Sequence, residues 1–368
     1  MTPKQQEAIA LLKQGKTRQQ IADELGISLS SVRDRLYGAN QKLLPAGITT
    51  ALETTGLSDP GLLHSGWLKT DDASLYFVAP KSESKESLED LINYISYRVQ
   101  HITPLTAPES PSECRENLLT LYPIADAHMG MRAAVNEAGE DYDLDAAANR
   151  IRLGITQLGN HSPPSEQAII LDVGDLTHAD DKNYVTPRSK HQLDMAATQF
   201  DSVDVAIEVL GTSIMTALFK HKRVRVRILR GNHNENSYIA IMFALRERFR
   251  ECDNVIIEST PSDFFVHRFG EVMIAAHHGD KAKPERLAMY MAHEWAKDWG
   301  ETKWRYFFTG HLHHAKLQDI GGVQFEQLRA VTSRDAYATS HGYVGMPQMQ
   351  AITFDKNSGE KSRVKINF

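Results

Sequence analysis

The feature that most constrains this chain is a pattern repeated between residues 118 and 313, in which a short apolar run ends in a cluster of carboxylate, amide or imidazole side chains. The five clusters are Asp126-Ala-His128, Gly174-Asp175, Gly231-Asn232-His233-Asn234, His277-His278-Gly279 and Gly310-His311-Leu312-His313. An apolar run of about four to eight residues is typical of a buried strand. The pattern therefore predicts an α/β fold in which each cluster follows the end of a strand.

Strands and helices alternate in the predicted order. Strands are expected at 118–124, 168–173, 224–229, 272–276 and 306–309, with helices near 144–158, 192–219, 236–249 and 284–297. Open α/β sheets bind ligands at the carboxyl ends of their strands, so we expect the five clusters to meet in one pocket. In and after the third strand, Arg225, Arg227 and Arg230 are expected to form a charged face.

The clusters contain enough metal-binding side chains to hold two divalent cations in one pocket. Mixed oxygen and nitrogen donors suit borderline metals better than magnesium alone; manganese is our first choice, with iron, zinc and nickel as alternatives. Two cations about 3.5–4 Å apart are a device for cleaving phosphate esters. The inference rests on five clusters in one order, because a single Gly-Asp or Asp-x-His pair would carry no weight.

In the order of its clusters the chain resembles the calcineurin-like metallophosphoesterases, a superfamily that includes purple acid phosphatases, Ser/Thr phosphatases and double-strand-break repair nucleases. The resemblance covers residues 118–315, and we favour the repair-nuclease branch. It implies an α/β (α+β) fold, a β-sandwich of two mixed sheets flanked by helices. The strands that follow, up to residue 368, would complete a sheet.

The resemblance also implies a set of metal ligands. One cation would be held by Asp126, His128, Asp175 and His313, and the other by Asp175, Asn232, His278 and His311. Asp175 would bridge the two cations, with each carboxylate oxygen facing one of them. His278 is preferred to His277 because it directly precedes a glycine, as the family pattern requires.

Catalytic roles are implied for His233, Asp175 and Asn232. A zinc ion lowers the pKa of a bound water from about 15.7 to near 7, so a metal-bound hydroxide would attack without a dedicated base. His233 would contact the substrate and protonate the leaving oxygen, which is typically worth about 10²–10⁴ in rate. The family usually has an acid after this pair to orient the histidine, whereas here Asn234 carries no charge, and Glu235 is considered as its substitute.

The loop after the second cluster has two interpretations. It is a solvated surface loop, or it is a substrate wall in which His178, Arg188 and Lys190 approach the substrate and the two cationic side chains contact flanking phosphates. Farther along the chain, Arg334 and Asp335 are considered as neighbours of the pocket.

Residues 1–44 have the pattern of a small all-α domain. A first helix is expected before Gly15, with Ala8, Leu11 and Leu12 on one face. Thr17 is expected to cap a second helix over 18–25, Gly26 to end it, and a third helix to run to about Lys42. This stretch resembles the helix-turn-helix of bacterial regulators and sigma-factor-like domains. The resemblance implies DNA contacts from Ser30, Ser31, Arg33, Asp34, Arg35 and Tyr37. The alternative is a helical bundle used for assembly, since seven Lys or Arg against four acidic residues is a modest excess.

Three regions follow from these patterns: a helix-turn-helix domain (1–44), a connector of unassigned role or a lid (45–116), and the metallophosphoesterase-like domain (117–368). Within the connector, Trp67 and the run 75–78 are compatible with a small β element.

Composition excludes several classes of protein. The net charge of −6 argues against a chain that coats nucleic acid along its length. Two cysteines, Cys114 and Cys252, cannot form a disulfide framework and favour a reducing compartment. No signal peptide and no membrane-spanning apolar run is visible. We expect a cytoplasmic protein of a bacterium or a phage-infected cell, of phage or prophage origin, and leave oligomerisation open.

Our first hypothesis is a two-metal phosphodiesterase, in particular a DNA nuclease delivered to DNA by its N-terminal domain. The second is a small-molecule phosphatase or cyclic nucleotide phosphodiesterase whose N-terminal helices serve assembly. The third is a DNA-binding regulatory or packaging-associated protein with a vestigial metal site. The third is disfavoured because every expected ligand is present.

Overall fold

The computed structural model describes residues 6–7, 10–11, 18–27, 31–32, 105–109, 111–342 and 344–368, and the backbone of 65–69 and 74–78; at 18–19 and 336–337 it describes the backbone alone. The chain divides into two compact units, residues 1–98 and 99–368. Each unit is described by itself.

In the first unit, helix α1 spans Arg18–Leu25, as predicted. Ile21 and Ala22 are buried and pack with Val32. Gly26 follows the helix with φ +59°, a conformation that glycine adopts without steric cost. The N–H of the next residue then bonds back to the Ala22 carbonyl at 3.0 Å. The predicted helix and its glycine break are both confirmed.

The remaining predictions for this unit fall partly outside the described residues. Ser31 lies in a helical turn with a partly buried side chain. The predicted cap at Thr17 and the other predicted DNA contacts lie outside the described residues: Ser30, Arg33, Asp34, Arg35 and Tyr37. Strands β1 (Ser65–Lys69) and β2 (Ser74–Val78) form an antiparallel hairpin, so the predicted small β element is confirmed.

The second unit contains the repeated strand–helix pattern. Its strands are β3 (Arg115–Ile124), β4 (Ser165–Asp172), β5 (His221–Ile228), β6 (Val255–Ile257), β7 (Phe265–Phe269), β8 (Val272–Ala276), β9 (Trp304–Thr309), β10 (Lys316–Ile320), β11 (Val323–Gln327), β12 (Gln348–Asp355) and β13 (Gly359–Asn367). Its helices are α2 (Val135–Ala138), α3 (Leu144–His161), α4 (Gln199–Leu218), α5 (Ser237–Arg248), α6 (Pro284–Glu294), α7 (Ala296–Gly300) and α8 (Ala336–Ser340).

Within these described residues the strands form two mixed sheets. The first has the order β13-β12-β3-β4-β5-β6, and the second has the order β10-β11-β9-β8-β7. In the first sheet β3 to β6 are parallel, and β12 runs antiparallel to β3. In the second, β8, β9 and β11 are parallel, with antiparallel strands at both edges. The predicted architecture of two mixed sheets flanked by helices is confirmed.

The two sheets pack face to face, and helices cover their outer faces. In β3, Leu119 and Leu121 join a core that includes Phe308 of the second sheet. Tyr122 and Ile124, on the opposite face of β3, pack under α3, α4 and α5. Helix α6 covers the outer face of the second sheet. Central strands are thus buried on both faces, which explains why they are apolar runs and do not alternate.

Two helices differ from the sequence prediction. The helix expected over 192–219 begins at Gln199, because the Thr198 hydroxyl accepts a hydrogen bond from the N–H of Asp201 at 3.1 Å and caps it there. The helix expected over 284–297 ends at Glu294, and a short helix follows after Trp295. Among the described residues, none of the helices has the length and apolar character that crossing a bilayer requires.

The charged strand face expected from Arg225, Arg227 and Arg230 is wrong for two of the three residues. Arg227 is fully buried and donates to the carbonyls of Thr260 and Ser262, which follow β6. Arg230 is also buried. The segment after β6 covers this part of the sheet, and a partner more than 30 positions away cannot be seen in an alternating pattern.

A buried polar chain joins a tyrosine of β3 to the first residues of β4 and β5. The Tyr122 hydroxyl lies 2.7 Å from Nε2 of His221, and Nδ1 of His221 lies 2.6 Å from the Ser165 hydroxyl. Burial lowers the pKa of His221 from 6.5 to about 3. This imidazole is therefore neutral in the folded protein at every ordinary pH.

Replacing His221 with Gln should flatten the acid side of the stability profile. The unfolded chain binds a proton at pH 6.5 and the folded chain only near pH 3, so this group's contribution is present above pH 6.5 and is lost as the pH falls. Between pH 7 and pH 5 the native protein should lose about 2 kcal/mol more of its free energy of unfolding than the variant. Urea unfolding at both pH values measures this difference, and equal losses would contradict the assignment.

Candidate metal centre

All five clusters follow the ends of strands, as predicted. The first sheet supplies Asp126 after β3, Asp175 after β4 and Asn232 after β5; the second supplies His278 after β8 and His311 after β9. These strands are parallel within each sheet. The candidate site is therefore assembled from both halves of the sandwich.

The first group of side chains contains Asp126, His128 and His313, whose donor atoms all lie within 4.8 Å of one another. Nε2 of His128 is 3.2 Å from Nε2 of His313, and the latter is 3.6 Å from Oδ1 of Asp126. Metal–nitrogen bonds to histidine are about 2.0–2.1 Å long. Two imidazole nitrogens at this separation can therefore bind one cation.

The second group contains Asp175, His278 and His311, again with donor atoms within 4.8 Å. Nε2 of His278 lies 3.1 Å from Oδ2 of Asp175 and 3.0 Å from Oδ1 of Asn232. Nδ1 of His278 lies 3.0 Å from the Val173 carbonyl, so it can donate there and leave Nε2 free to bind a cation. Such a carbonyl partner is the usual support of a metal-binding histidine.

Asp175 stands between the two groups. Its Oδ1 accepts a hydrogen bond from the backbone N–H of His233 at 2.8 Å. Its Oδ2 is buried and lies 3.1 Å from Nε2 of His278 in the second group and 4.0 Å from Nε2 of His128 in the first. A buried carboxylate is stable only with positive charge close by. Two cations, one in each group, would supply that charge, and the expectation that Asp175 bridges them stays a prediction.

The electrostatics of the site favour positive charge. Burial would raise the pKa of Asp175, but His278 and His233 outweigh it and lower that pKa well below its usual value. Burial would likewise lower the pKa of His278, but Asp175 and Asp126 raise it to about 10. The two carboxylates thus stabilise a positive charge between them. The donor set fits two divalent cations.

Backbone strain is concentrated at the same residues. Among the described residues, seven other than glycine have a positive φ, namely Asp126, His128, Asp175, Tyr184, Lys190, His311 and His313. Five of the seven are predicted ligands. Such conformations cost roughly 1–3 kcal/mol each and persist where the surrounding structure fixes them for function. The remaining two belong to the loop between β4 and α4.

His233 is oriented by a main-chain group. Its Nδ1 lies 2.9 Å from the carbonyl oxygen of His178 and can donate to it, which leaves the other ring nitrogen, Nε2, available for other contacts. Asn234 is fully buried, and its Oδ1 accepts from the N–H groups of Gly231 and Asp175 at 2.7 and 3.2 Å. Asn234 therefore holds the backbone of the second and third clusters together, and it does not orient His233. Glu235 is no substitute, since it approaches Arg230 at 3.4 Å.

His178, predicted as a substrate contact, is buried behind the first group. Its Nδ1 lies 3.1 Å from Nδ1 of His128, and its ring stacks on His233 with 5.1 Å between centroids. It therefore supports two candidate site residues and also lines the cavity. By contrast, His277 packs against Phe264 and accepts from the N–H of Gly279, apart from both groups. The preference for His278 thus agrees with the geometry.

A buried ion-pair network behind Asn232 was not predicted. Arg230 contacts Asp263 at 3.0 Å and Asp280 at 3.2 Å. It thereby joins the loop after β5 to the loop after β8, one from each sheet. The only signal in the sequence was the position of Arg230 directly before the third cluster.

A cavity of about 750 Å³ opens onto the candidate centre. Its lining includes Arg334 and Asp335, as considered from the sequence. Arg188 and Lys190 are exposed and lie outside this lining, whereas their neighbours Ser189 and His191 belong to it. The loop thus forms part of the cavity wall, but it does so through residues other than Arg188 and Lys190.

Replacing His277 and His278 one at a time tests the assignment of His278 as a metal ligand. His278→Gln should bind about one equivalent less of Mn²⁺ than the native chain, because it loses a ligand of the second group. His277→Gln should keep the native stoichiometry. Metal content after equilibrium dialysis gives the answer, and equal loss in both variants would contradict the arrangement.

Comparison with known proteins gives a family match for the N-terminus and remote likenesses to solved structures. Residues 1–33 match the family model described as the helix-turn-helix domain of resolvase. No curated protein matches the chain significantly. Similar solved structures include an archaeal phosphodiesterase (12% identity, 68% of this chain and 99% of that one, TM-score 0.36) and a dimetal phosphatase from Danio rerio (11%, 68% and 99%, 0.36). Another is Vps29 from Entamoeba histolytica complexed with zinc (13%, 67% and 98%, 0.29).

Proposed function

We propose that the second unit is a two-metal phosphodiesterase whose substrate is DNA. The observation that carries the proposal is the convergence of buried metal-binding side chains on Asp175, whose Oδ2 lies 3.1 and 4.0 Å from Nε2 of His278 and of His128. Burying so many imidazole and carboxylate groups together costs free energy that their mutual contacts offset only in part. The arrangement is explained if cations are bound there.

The chemistry divides between the cations and the protein. When bound, two cations polarise the phosphoryl group and supply an activated water. Asp175 and Asn232 would hold the cations. His233 donates its Nδ1–H to the His178 carbonyl, so its Nε2 would carry a proton for the leaving oxygen in the imidazolium form of the ring. The mixture of imidazole, carboxylate and amide donors favours manganese, with iron, zinc or nickel as alternatives.

Specificity for DNA is proposed from the other end of the chain. Residues 1–33 are similar to the helix-turn-helix domain of resolvase, and such a domain commonly binds the major groove. We retain the regions 1–44, 45–116 and 117–368 as the functional division, with 45–116 as the connector. The same pairing of modules supports membership in the nuclease branch, a phage or prophage origin and a cytoplasmic location.

One observation favours the alternative of a small-molecule phosphatase or cyclic nucleotide phosphodiesterase. Arg334 is the one Lys or Arg side chain among the described residues that line the cavity, whereas a long polyanion usually meets several. In that case the N-terminal helices would serve assembly. A vestigial site in a regulatory protein is disfavoured, since the predicted ligands converge with donor atoms within hydrogen-bond range.

The proposal predicts diesterase activity that depends on His311. With Mn²⁺, the full chain should hydrolyse bis-p-nitrophenyl phosphate and leave p-nitrophenyl phosphate almost untouched. His311→Ala should lower the rate more than about 100-fold, because it removes a side chain of the second group. The exposed His293 provides the matched control, and His293→Ala should keep full activity. A preference for the monoester would overturn the diesterase assignment.

DNA binding should depend on the N-terminal helices and not on the metal centre. His311→Ala should retain native DNA affinity, measured by fluorescence anisotropy. Removing residues 1–44 should weaken binding and flatten its dependence on salt, because each lost phosphate contact lowers the slope of log K against log salt by about 0.9. An unchanged slope would assign these helices to assembly.

A further inference from the structure

The cavity extends beyond the metal centre. Its volume of about 750 Å³ exceeds what a phosphoryl group requires, and lies in the range of roughly 300–1,000 Å³ typical of pockets that bury a small organic molecule. Beyond the candidate ligands, the wall comes from Leu312 and from members of the segments 186–193, 330–342 and 344–347. There is therefore room for a group attached to the scissile phosphate.

Part of this wall is apolar and uncovered. Leu312, Val344 and Met346 line the cavity and are 56%, 76% and 64% exposed. Large apolar side chains grouped around a concave site commonly mark a ligand-binding groove. The group that occupies this part of the cavity should therefore present apolar faces.

The same wall offers an unused hydrogen-bonding group. Ser333 lines the cavity and is 3% exposed, and its hydroxyl has no partner among the described residues. A buried polar group without a partner is rare in native proteins, and this hydroxyl, whose oxygen is itself buried, would gain a partner if a bound molecule drew it toward the cavity. Ser189, Gln192 and Thr332 add polar side chains to the lining. A nucleoside, with apolar base faces and hydrogen-bonding edges, matches this mixture, whereas a hydrocarbon chain would leave Ser333 unpaired.

The charge of the wall limits how much nucleic acid it can hold. Arg334 is its single Lys or Arg within the described lining, and one of its nitrogens already donates to the Ala138 carbonyl at 3.0 Å. The Asp335 carboxylate accepts from the N–H of Ala338 in α8. Proteins that track a duplex commonly contact about 6–10 phosphates. A single cationic side chain therefore suits a substrate that places only one nucleotide unit in the cavity.

We propose that this cavity is a subsite for a single nucleoside joined to the scissile phosphate, so that the substrate is presented as an unpaired strand or strand end. The proposal rests on the phosphodiesterase function proposed above. It adds that the organic arm of the diester, and not only its phosphate, is recognised, through Met346 and Ser333.

Matched diesters test the subsite in the full chain with Mn²⁺. At least one of the p-nitrophenyl esters of thymidine 5′- and 3′-monophosphate should have a kcat/KM roughly tenfold above that of methyl p-nitrophenyl phosphate. Met346→Ser and Ser333→Ala should remove most of this preference through KM, and leave the methyl ester unaffected. Met289→Ser, which alters an exposed methionine on α6 outside the cavity (73% exposed, against 64% for Met346), should keep the native preference. Equal kcat/KM values for all diesters would overturn the subsite and leave the phosphodiesterase standing.

A binding measurement separates the two proposals if no diester is cut. After metal removal, thymidine 5′-monophosphate should bind more tightly than methyl phosphate in isothermal titration calorimetry, and Met346→Ser should abolish the difference. That result with no hydrolysis would support the subsite and overturn the phosphodiesterase. Equal affinity for the two phosphates would overturn the subsite. Thermal melts of the variants ensure that a loss reflects the site and not unfolding.

Discussion

The structure depends on one buried carboxylate oxygen. Oδ2 of Asp175 lies 3.1 and 4.0 Å from imidazole nitrogens of the two groups. The opposite oxygen accepts from the N–H of His233, which helps to fix the carboxylate. A buried charge of this kind is stable only if opposite charge is near. The dense ring of histidines around it, which is otherwise unfavourable, follows from that requirement.

The sandwich provides the rigidity that such a site needs. Each sheet is buried on both faces, and each contributes side chains to the second group. Arg230 joins the two halves through Asp263 and Asp280 directly behind Asn232. Left-handed backbone at five predicted ligands stores strain, which the packed strands beneath them sustain.

Much of this arrangement could be predicted from the sequence, because apolar runs mark buried strands and the clusters follow them directly. The glycine after His278 also favoured the member of the pair that lies beside Asp175. The rest depends on contacts distant in sequence. Arg227 is buried by carbonyls more than 30 residues away, and Asn234 serves the backbone of Asp175 rather than His233. Local patterns carry no information about such partners.

The central proposal is that the Asp175 carboxylate would be shared by two metal ions. Electron paramagnetic resonance of the full chain with two equivalents of Mn²⁺ tests it most directly, because ions that share a bridging ligand are magnetically coupled. The account predicts a coupled dinuclear spectrum in the native protein, and its loss in Asp175→Ala. Two independent six-line Mn²⁺ signals in the native protein would contradict it.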